Sequence, residues 1–418
     1  MLKQTYLSIL AVFLVFSCSN DDDLVAACNS VTNVTSNSIT NNSATITWEE
    51  ANTTALYTLE YGTSGFILGT GTTLSETNTT AELTGLEANT TYDVYIQTIC
   101  SATNVSLYTD VYSFTTLAPN VIPEFRTNMS EMNLFVGNLG NLEVTPYAFE
   151  YDLNTRLFSD YAHKQRFIVL PPGEKLTYDG EGLPLFPDNS LIAKTFYYNN
   201  DERDLSLGTH IIETRILIKI NGSWETGDYK WNEAQTEAVL DLNGSIVPVT
   251  WIDSEGLSNS INYAIPSDTD CFTCHRINTD KTPIGPKMRT LNFSVDGSNQ
   301  LQSLIDNNLL EGLSDPSTVS ILPKWDDAVN YTLEERARAY FDVNCAHCHI
   351  EGGYCEIQST LRLDFERSLS ESNIQNRRNS IINRMSFYSQ GFSMPLIGTT
   401  IIHEEGVDLI LDYLNTLE

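Results

Sequence analysis

Two short stretches carry residue types whose spacing suggests a definite chemistry: DTDCFTCHR at 268–276 and RAYFDVNCAHCHIEGG at 338–353. Both contain Cys-x-x-Cys-His, as Cys271, Cys274 and His275 and as Cys345, Cys348 and His349. Two thiols about one helical turn apart can meet the two vinyl groups of a porphyrin as thioethers. The imidazole that follows on the same turn then faces the iron. The pattern predicts two covalently attached haem c groups, with His275 and His349 as axial ligands. A zinc site would want four ligands per metal. A thiol redox pair would follow a strand in a βαβ unit, which the sequence does not contain.

The remaining axial positions must be filled from elsewhere. SMPLIG at 393–398 offers Met394, just ahead of the last helical pattern. The order helix, CxxCH, loop, Met-Pro, helix resembles the class I cytochrome c fold, which makes Met394 the expected second ligand of the His349 iron and Met385 the next candidate. For the first haem, TPIGPKMRTLN resembles the Gly-Pro that packs beside the proximal histidine of cytochromes c. By that analogy Gly285 and Pro286 lie on the proximal side, which argues against Met288 as distal ligand. His163, His210, Met385 or a vacant position stay open. His347, inside the second motif, is expected to be exposed, and Cys355 to be a leftover thiol.

These residues need elements to position them. YTLEERARAYFDVNCAHCH has Thr332 and Glu335 at capping-box spacing, then an apolar stripe of Leu333, Ala337, Tyr340 and Phe341 leading into the second motif. HEEGVDLILDYLNTLE repeats the helical period through Val407, Ile410, Leu411 and Leu414. The segment between these helices has too little apolar sequence for a core of its own and must pack around something bulky. Before residue 266 the texture differs. QRFIVL, LIAKTFYY, HIIETRILIKI and SIVPVTWID read as strands, with Asn221-Gly222 as a turn, and predict a β-rich domain over 121–265. LAPNVIPEF at 117–125 reads as a linker. Residues 28–117 alternate with period two between polar turns, which predicts a β-sandwich.

The chain has 418 residues, with 54 acidic against 23 basic side chains and a formal charge of −31. Such a surface repels phosphate backbones and excludes nucleic acid as a natural partner. MLKQTYLSILAVFLVFSCSNDDD has one lysine, a short apolar run and a small residue before Cys18. That is a signal-peptide core (1–17), too short to span a bilayer stably. It resembles a bacterial lipobox, which implies lipidation of Cys18, an acidic tether over 18–27, and export. The acidic run after the cysteine resembles that of surface-exposed outer-membrane lipoproteins. Once Cys18 and the four motif cysteines are set aside, Cys28, Cys100 and Cys355 remain, so one disulfide and one free thiol are expected in an exported chain.

LTGLEANTTYDVYIQTIC resembles the fibronectin type III family, with Leu86 and the corner tyrosine Tyr92. That resemblance implies a Cys28–Cys100 disulfide and a spacer or adhesive role. From about residue 145 the chain resembles a family of bacterial dihaem c-type cytochromes, often lipoproteins. The resemblance is carried by YDLNTRLFSDYAHKQRFIVLPPGEKLTYDGEG, KTFYY, IETRILI, YKWNEAQTEA, CFTCH, IGPKMRTLN, RARAYFDVNCAHCH and MPLIG. It lacks a Gly/Pro-rich insert expected after CAHCH. The expected architecture is therefore a fibronectin type III sandwich, a second β-rich domain, and a mainly α, cytochrome c-like dihaem domain over 266–418. The expected function is electron transfer to a redox partner protein from a lipid-anchored carrier. A dihaem peroxidase or oxidase with one open iron, or a surface-binding protein with a haem relay, are the alternatives.

Overall fold

In a computed structural model of the chain, residues 27–50, 52 and 56–417 are described; Cys18 and the signal segment lie outside them. The chain divides into two compact units, Met1–Leu117 and Ala118–Glu418.

The first unit is a sandwich of two antiparallel sheets. Strands β1 (Thr32–Asn37), β2 (Ser43–Glu49) and β5 (Thr80–Thr84) form one sheet. β4 (Thr72–Glu76), β3 (Leu56–Thr63), β6 (Thr91–Ser101), β7 (Asn104–Val105) and β8 (Tyr112–Thr115) form the other. Alternate side chains of both sheets meet in one core built on Ile46, Trp48, Tyr57, Leu59, Val94 and Ile96, as the period-two pattern requires. Tyr92 Oη accepts a hydrogen bond from Glu87 N at 2.9 Å and so ties the corner before β6. Cys28 and Cys100 form a disulfide across a sequence separation of 72.

The second unit is organised by a six-stranded antiparallel sheet in the order β15-β14-β13-β12-β10-β9. Its strands are β9 (Ala148–Glu150), β10 (His163–Val169), β12 (Leu191–Asn199), β13 (Thr209–Ile220), β14 (Ser223–Trp231) and β15 (Ala238–Leu240). β11 (Leu176–Thr177) lies outside it and pairs in parallel with Leu310–Glu311. The β13–β14 hairpin closes on Asn221-Gly222, both at positive φ (51° and 84°). That is the conformation a two-residue turn needs to match the strand twist, and Asn-Gly adopts it readily. A separate hairpin, β16 (Ser245–Ile252) and β17 (Ser258–Ile265), packs Val249, Trp251 and Tyr263 on Phe196 and Tyr198.

Both faces of the sheet are covered. Phe167, Val169, Leu191, Ala193, Ile216 and Ile218 pack against Met129, Met132, Leu134 and Phe135. On the opposite face Ile168, Ile192 and Leu217 pack against Met288, Leu291, Leu301 and Leu304. The change of texture at residue 266 therefore does not separate two compact units, because the loop-rich segment that follows supplies half of the sheet's own core. Seven α-helices lie among the described residues. They are α1 (Asp268–His275), α2 (Met288–Leu291), α3 (Gln300–Asp306), α4 (Leu333–Asn344), α5 (Leu369–Ser372), α6 (Ile374–Met385) and α7 (Glu404–Asn415), and only α4, α6 and α7 reach 12 residues. None of the described helices is long and apolar enough to cross a membrane.

Helix α4 starts at the predicted capping box, with Thr332 Oγ1 accepting from Glu335 N and the Glu335 carboxylate accepting from Thr332 N. It packs on α7 through Tyr340, Phe341, Val407, Ile410 and Leu414, with Ile381 and Met385 of α6 closing the cluster. The two helices approach most closely at Gly406, where an added Cβ would stand 2.3 Å from Tyr340 Oη.

Two stability measurements follow. Gly406→Ala should lower the unfolding free energy of the second unit by about 1–3 kcal/mol, the usual cost of overpacking, read from denaturant titration of the whole chain. Replacing Cys28 and Cys100 by serine should remove up to about 4 kcal/mol from the first unit in the loop-entropy account, leaving the transition of the second unit in place.

Candidate functional site

Both Cys-x-x-Cys-His motifs sit at the ends of helices. The first forms the C-terminal part of α1, from Cys271 to His275, and the N-cap of that helix, Ser267, accepts from Asp270 N. Thr226 Oγ1 donates to Asp268 Oδ1 at 3.2 Å and holds α1 against β14. The second motif continues α4 for one more turn: Cys345 N and Ala346 N both donate to Phe341 O at 2.9 Å, and His349 N donates to Cys345 O at 3.0 Å.

Cys345, Cys348 and His349 line one cavity of about 340 Å³, and so do Met385 and Met394. Met394 is brought there by the return of its loop onto α6, with Met394 N donating to Arg384 O at 2.8 Å. His349 is buried, and its Nδ1 has no hydrogen-bond partner. A buried imidazole whose Nδ1 lacks a partner and whose ring meets the Cys355 thiol, two free thiols and a thioether around one cavity include the donor set that a covalently attached haem uses. These residues fit that group.

A second cavity of about 250 Å³ lies beside the first motif. It is lined by Thr282–Gly285, by Ala346, His347 and Ile350, and by Lys164, Arg166 and Lys194 of the sheet. His275 Nδ1 donates to Thr282 O at 2.7 Å. This bond fixes the tautomer and leaves Nε2 for a metal, the arrangement that a ligating histidine needs. Burial, with Lys194 next in effect, pushes the His275 imidazolium down to about 3.

The two motifs meet. The sulfurs of Cys274 and Cys348 and a ring nitrogen of His347 all lie within 4.8 Å of one another, and Asn278 N donates to Gly352 O at 2.7 Å alongside. Hydrogen bonding to Cys348 holds the Cys274 thiol well below the ordinary range and brings Cys355 down to about 4. Burial pushes Cys345 up to about 12. Burial, then Asp228, likewise raises Cys271, whose Sγ donates to Asp228 Oδ2 at 3.7 Å. His347 is half-buried, lines both cavities and has an unpartnered Nδ1, so it is not the exposed residue expected from sequence. Cys355 is buried against Cys348 in the first cavity, not a thiol apart from the site.

Of the residues left open for the first iron, none lines the second cavity. His163 pairs with Glu202 at 2.7 Å and Asn199 at 3.2 Å. His210 is half-buried on β13. Met288 is fully buried in the core under the sheet. Met385 belongs to the other cavity.

The sheet's own contribution was missed in the sequence. Arg166, Lys194, Arg215 and Asp228 stand directly opposite one another on four adjacent strands. They form a charged band between the apolar patch of Ile168, Ile192 and Leu217 and the aromatic patch of Phe196 and Tyr198. Arg215 pairs with the fully buried Glu213 at 2.6 Å, and Arg166 Nη1 pairs with Asp152 at 2.9 Å. Burial, then Arg166 and Arg215, push the Lys194 ammonium down to about 7. The signal was there: Lys164, Arg166, Lys194 and Arg215 occupy inward positions of otherwise apolar alternating strands, where a charge needs a partner.

The sequence pattern of the Fibronectin type III domain matches residues 29–113. That stretch is a fibronectin type III domain. Similar solved structures include a myokine (23% identity, 22% of this chain and 98% of that one, TM-score 0.19). Others are a computer-based redesign of a β-sandwich protein (27% identity, 21% and 93%, TM-score 0.19) and chicken CNTN1 FN1-FN3 domains (13% identity, 21% and 30%, TM-score 0.20). No curated protein matches the chain.

The segment after the first motif is tied to the helix before the second by Lys287 Nζ and the buried Asp342 carboxylate, at 2.8 and 2.9 Å. Removing one partner of a buried pair costs about 3–5 kcal/mol, whereas removing both can be close to neutral. Lys287→Met should therefore destabilise the second unit by about 3 kcal/mol or more. Lys287→Met with Asp342→Leu should recover most of that loss in a double-mutant cycle.

Proposed function

We propose that this chain is an electron-transfer protein with two covalently attached haem c groups, one held by Cys271, Cys274 and His275 and the other by Cys345, Cys348 and His349. The observation that carries the reading is the convergence of Cys345, Cys348, His349 and Met394 on a single cavity, with the first motif in contact at Cys274. Haem iron supplies a one-electron couple whose potential is set by its axial ligands and surroundings. The chain's part is to hold His275 by its bond to Thr282, to bring Met394 toward His349 through the α6 return, and to keep both sites in a packed interior. The contact of the two motifs suits transfer between the sites and onward to a redox partner protein. Export, lipidation of Cys18 and anchoring to the bacterial outer membrane complete the proposal. The fibronectin type III domain then serves as a spacer or adhesive module.

Two observations favour rival readings. No methionine lines the second cavity, whose one histidine is His347; if His347 does not take the iron, that position is open and a peroxidase- or oxidase-like activity becomes the reading. The Cys274, His347 and Cys348 grouping favours a soft metal such as zinc, with thiolate ligands in place of thioethers.

One set of measurements separates them. Protein matured by a cytochrome c assembly system should show two haems per chain in alkaline pyridine, and no zinc. Both irons should be low-spin, and Met394→Ala should abolish the methionine-to-iron charge-transfer band of one haem and lower that haem's potential. One high-spin iron that responds to cyanide or peroxide would move the assignment to an enzyme. Stoichiometric zinc without haem would sink it.

A further inference from the structure

The charged band across the sheet sets Asp228 opposite Arg215 alone and leaves Lys194, between Arg166 and Arg215, without an ion pair among the described residues. Directly opposed like charges on neighbouring strands destabilise a sheet. Asp152 answers one edge of Arg166 and Glu213 answers Arg215. Lys194, between these two cations, forms no hydrogen bond or ion pair within the described residues, only a contact 6.0 Å above the Phe196 ring. The Arg166 side chain is 1% exposed, yet its Nε and Nη2 are buried without a partner. Lys164 Nζ donates only to the neutral carbonyl of Leu157, at 2.5 Å. All three side chains line the second cavity. Lys287 lines the cavity as well but is matched there by Asp342, so three incompletely answered cations gather on one cavity and call for an anionic occupant.

The cavity runs from these cations to the segment that holds His275, since Thr282, whose carbonyl fixes the imidazole, is also part of its lining. The occupant should bear about two negative charges; Cys271, Cys274 and His275 do not themselves line the cavity, and Thr282 is its link to the first motif. We propose that Lys164, Arg166 and Lys194 cradle the two propionate carboxylates of the haem attached at Cys271 and Cys274, an assignment that rests on the dihaem reading above. Arg166 offers its free guanidinium edge to one carboxylate oxygen, and the two ammonium groups complete the neutralisation. A free dianion such as phosphate presents the same chemistry from a different source. The tie between Thr282 and His275 favours the covalently attached group.

Cations beside the propionates stabilise the reduced haem, because reduction adds negative charge. In the matured holoprotein, Lys194→Met should keep two haems per chain and shift the reduction equilibrium of one haem about tenfold toward the oxidised form, about 59 mV for one electron. Lys194→Arg should restore the parent value to within about threefold. Arg166→Gln should shift the same haem in the same direction. Two haems with both potentials unmoved in Lys194→Met and Arg166→Gln would overturn the cradle and leave the dihaem reading standing. A first motif without haem would overturn both. Thermal stabilisation of the parent by added inorganic phosphate, lost in Lys194→Met while the potentials hold, would assign the cations to a free anion instead. If neither variant matures, resonance Raman of the parent decides, because propionate bending bands at the positions of unbonded carboxylates would exclude the cradle.

Discussion

The second unit is built around a sheet that gives up part of its interior to charge. A six-stranded sheet covered on both faces ordinarily fills each face with apolar side chains. Here one face does so, and the other is interrupted by Arg166, Lys194, Arg215 and Asp228 side by side. Burying such a band is costly unless each charge is met. The surroundings are arranged accordingly: Asp152 and Glu213 stand beside two of the cations, and Tyr263 Oη donates to Glu213 at 2.6 Å. The apolar patches at either side supply the burial that keeps the band in place. The loop-rich segment after residue 266 packs on one of these patches through Met288 and Leu291 of α2 and Leu301 and Leu304 of α3.

That segment connects the two motifs by polar links as well as by apolar contact. Lys287 reaches Asp342 at the end of α4, Asn344 Oδ1 accepts from Phe158 N at 2.8 Å, and Arg338 Nη2 donates to Arg367 O at 2.6 Å. The last two bonds run beside apolar clusters that join the same pieces, Leu157 with Ala339 and Val343, and Leu361 and Leu363 with Ala337 and Phe341. Directional bonds of this kind fix position where packing alone would leave latitude. The α4–α7 crossing at Gly406 does the same for the helices, since only glycine lets the Tyr340 ring lie against the α7 backbone.

Much of this could be read from the residues. Alternation in 28–117 gave the sandwich because a half-buried strand must show its period, and the capping box at Thr332 fixed the start of α4 because it is local. The elements around the second motif, and Met394 near it, followed from their order in the chain. Long-range placement was less legible. Nothing local tells that Cys274 touches Cys348, 74 residues later, or that His347 is drawn inward, because those facts depend on how the sheet and the helices pack. The shared core across residue 266 was hidden for the same reason: texture changes there, but Met288 and Leu301 find their partners on strands far upstream. The charged band was visible only as misplaced polarity, and its meaning needed the strand register.

The nearness of the two motifs also bears on how the molecule is made. Cys274, Cys348 and Cys355 are free thiols held in mutual reach, while Cys28 and Cys100 are already joined. On the proposed export route all of them enter a compartment that oxidises thiols. Disulfide formation and exchange need the sulfurs within reach of one another, as Cys274 and Cys348 are. Biogenesis thus becomes a race: the motif sulfurs must be capped before the chain folds around them, or a disulfide between the motifs blocks both sites until it is reduced. The compactness that would serve rapid exchange between two centres sets a strict order of assembly.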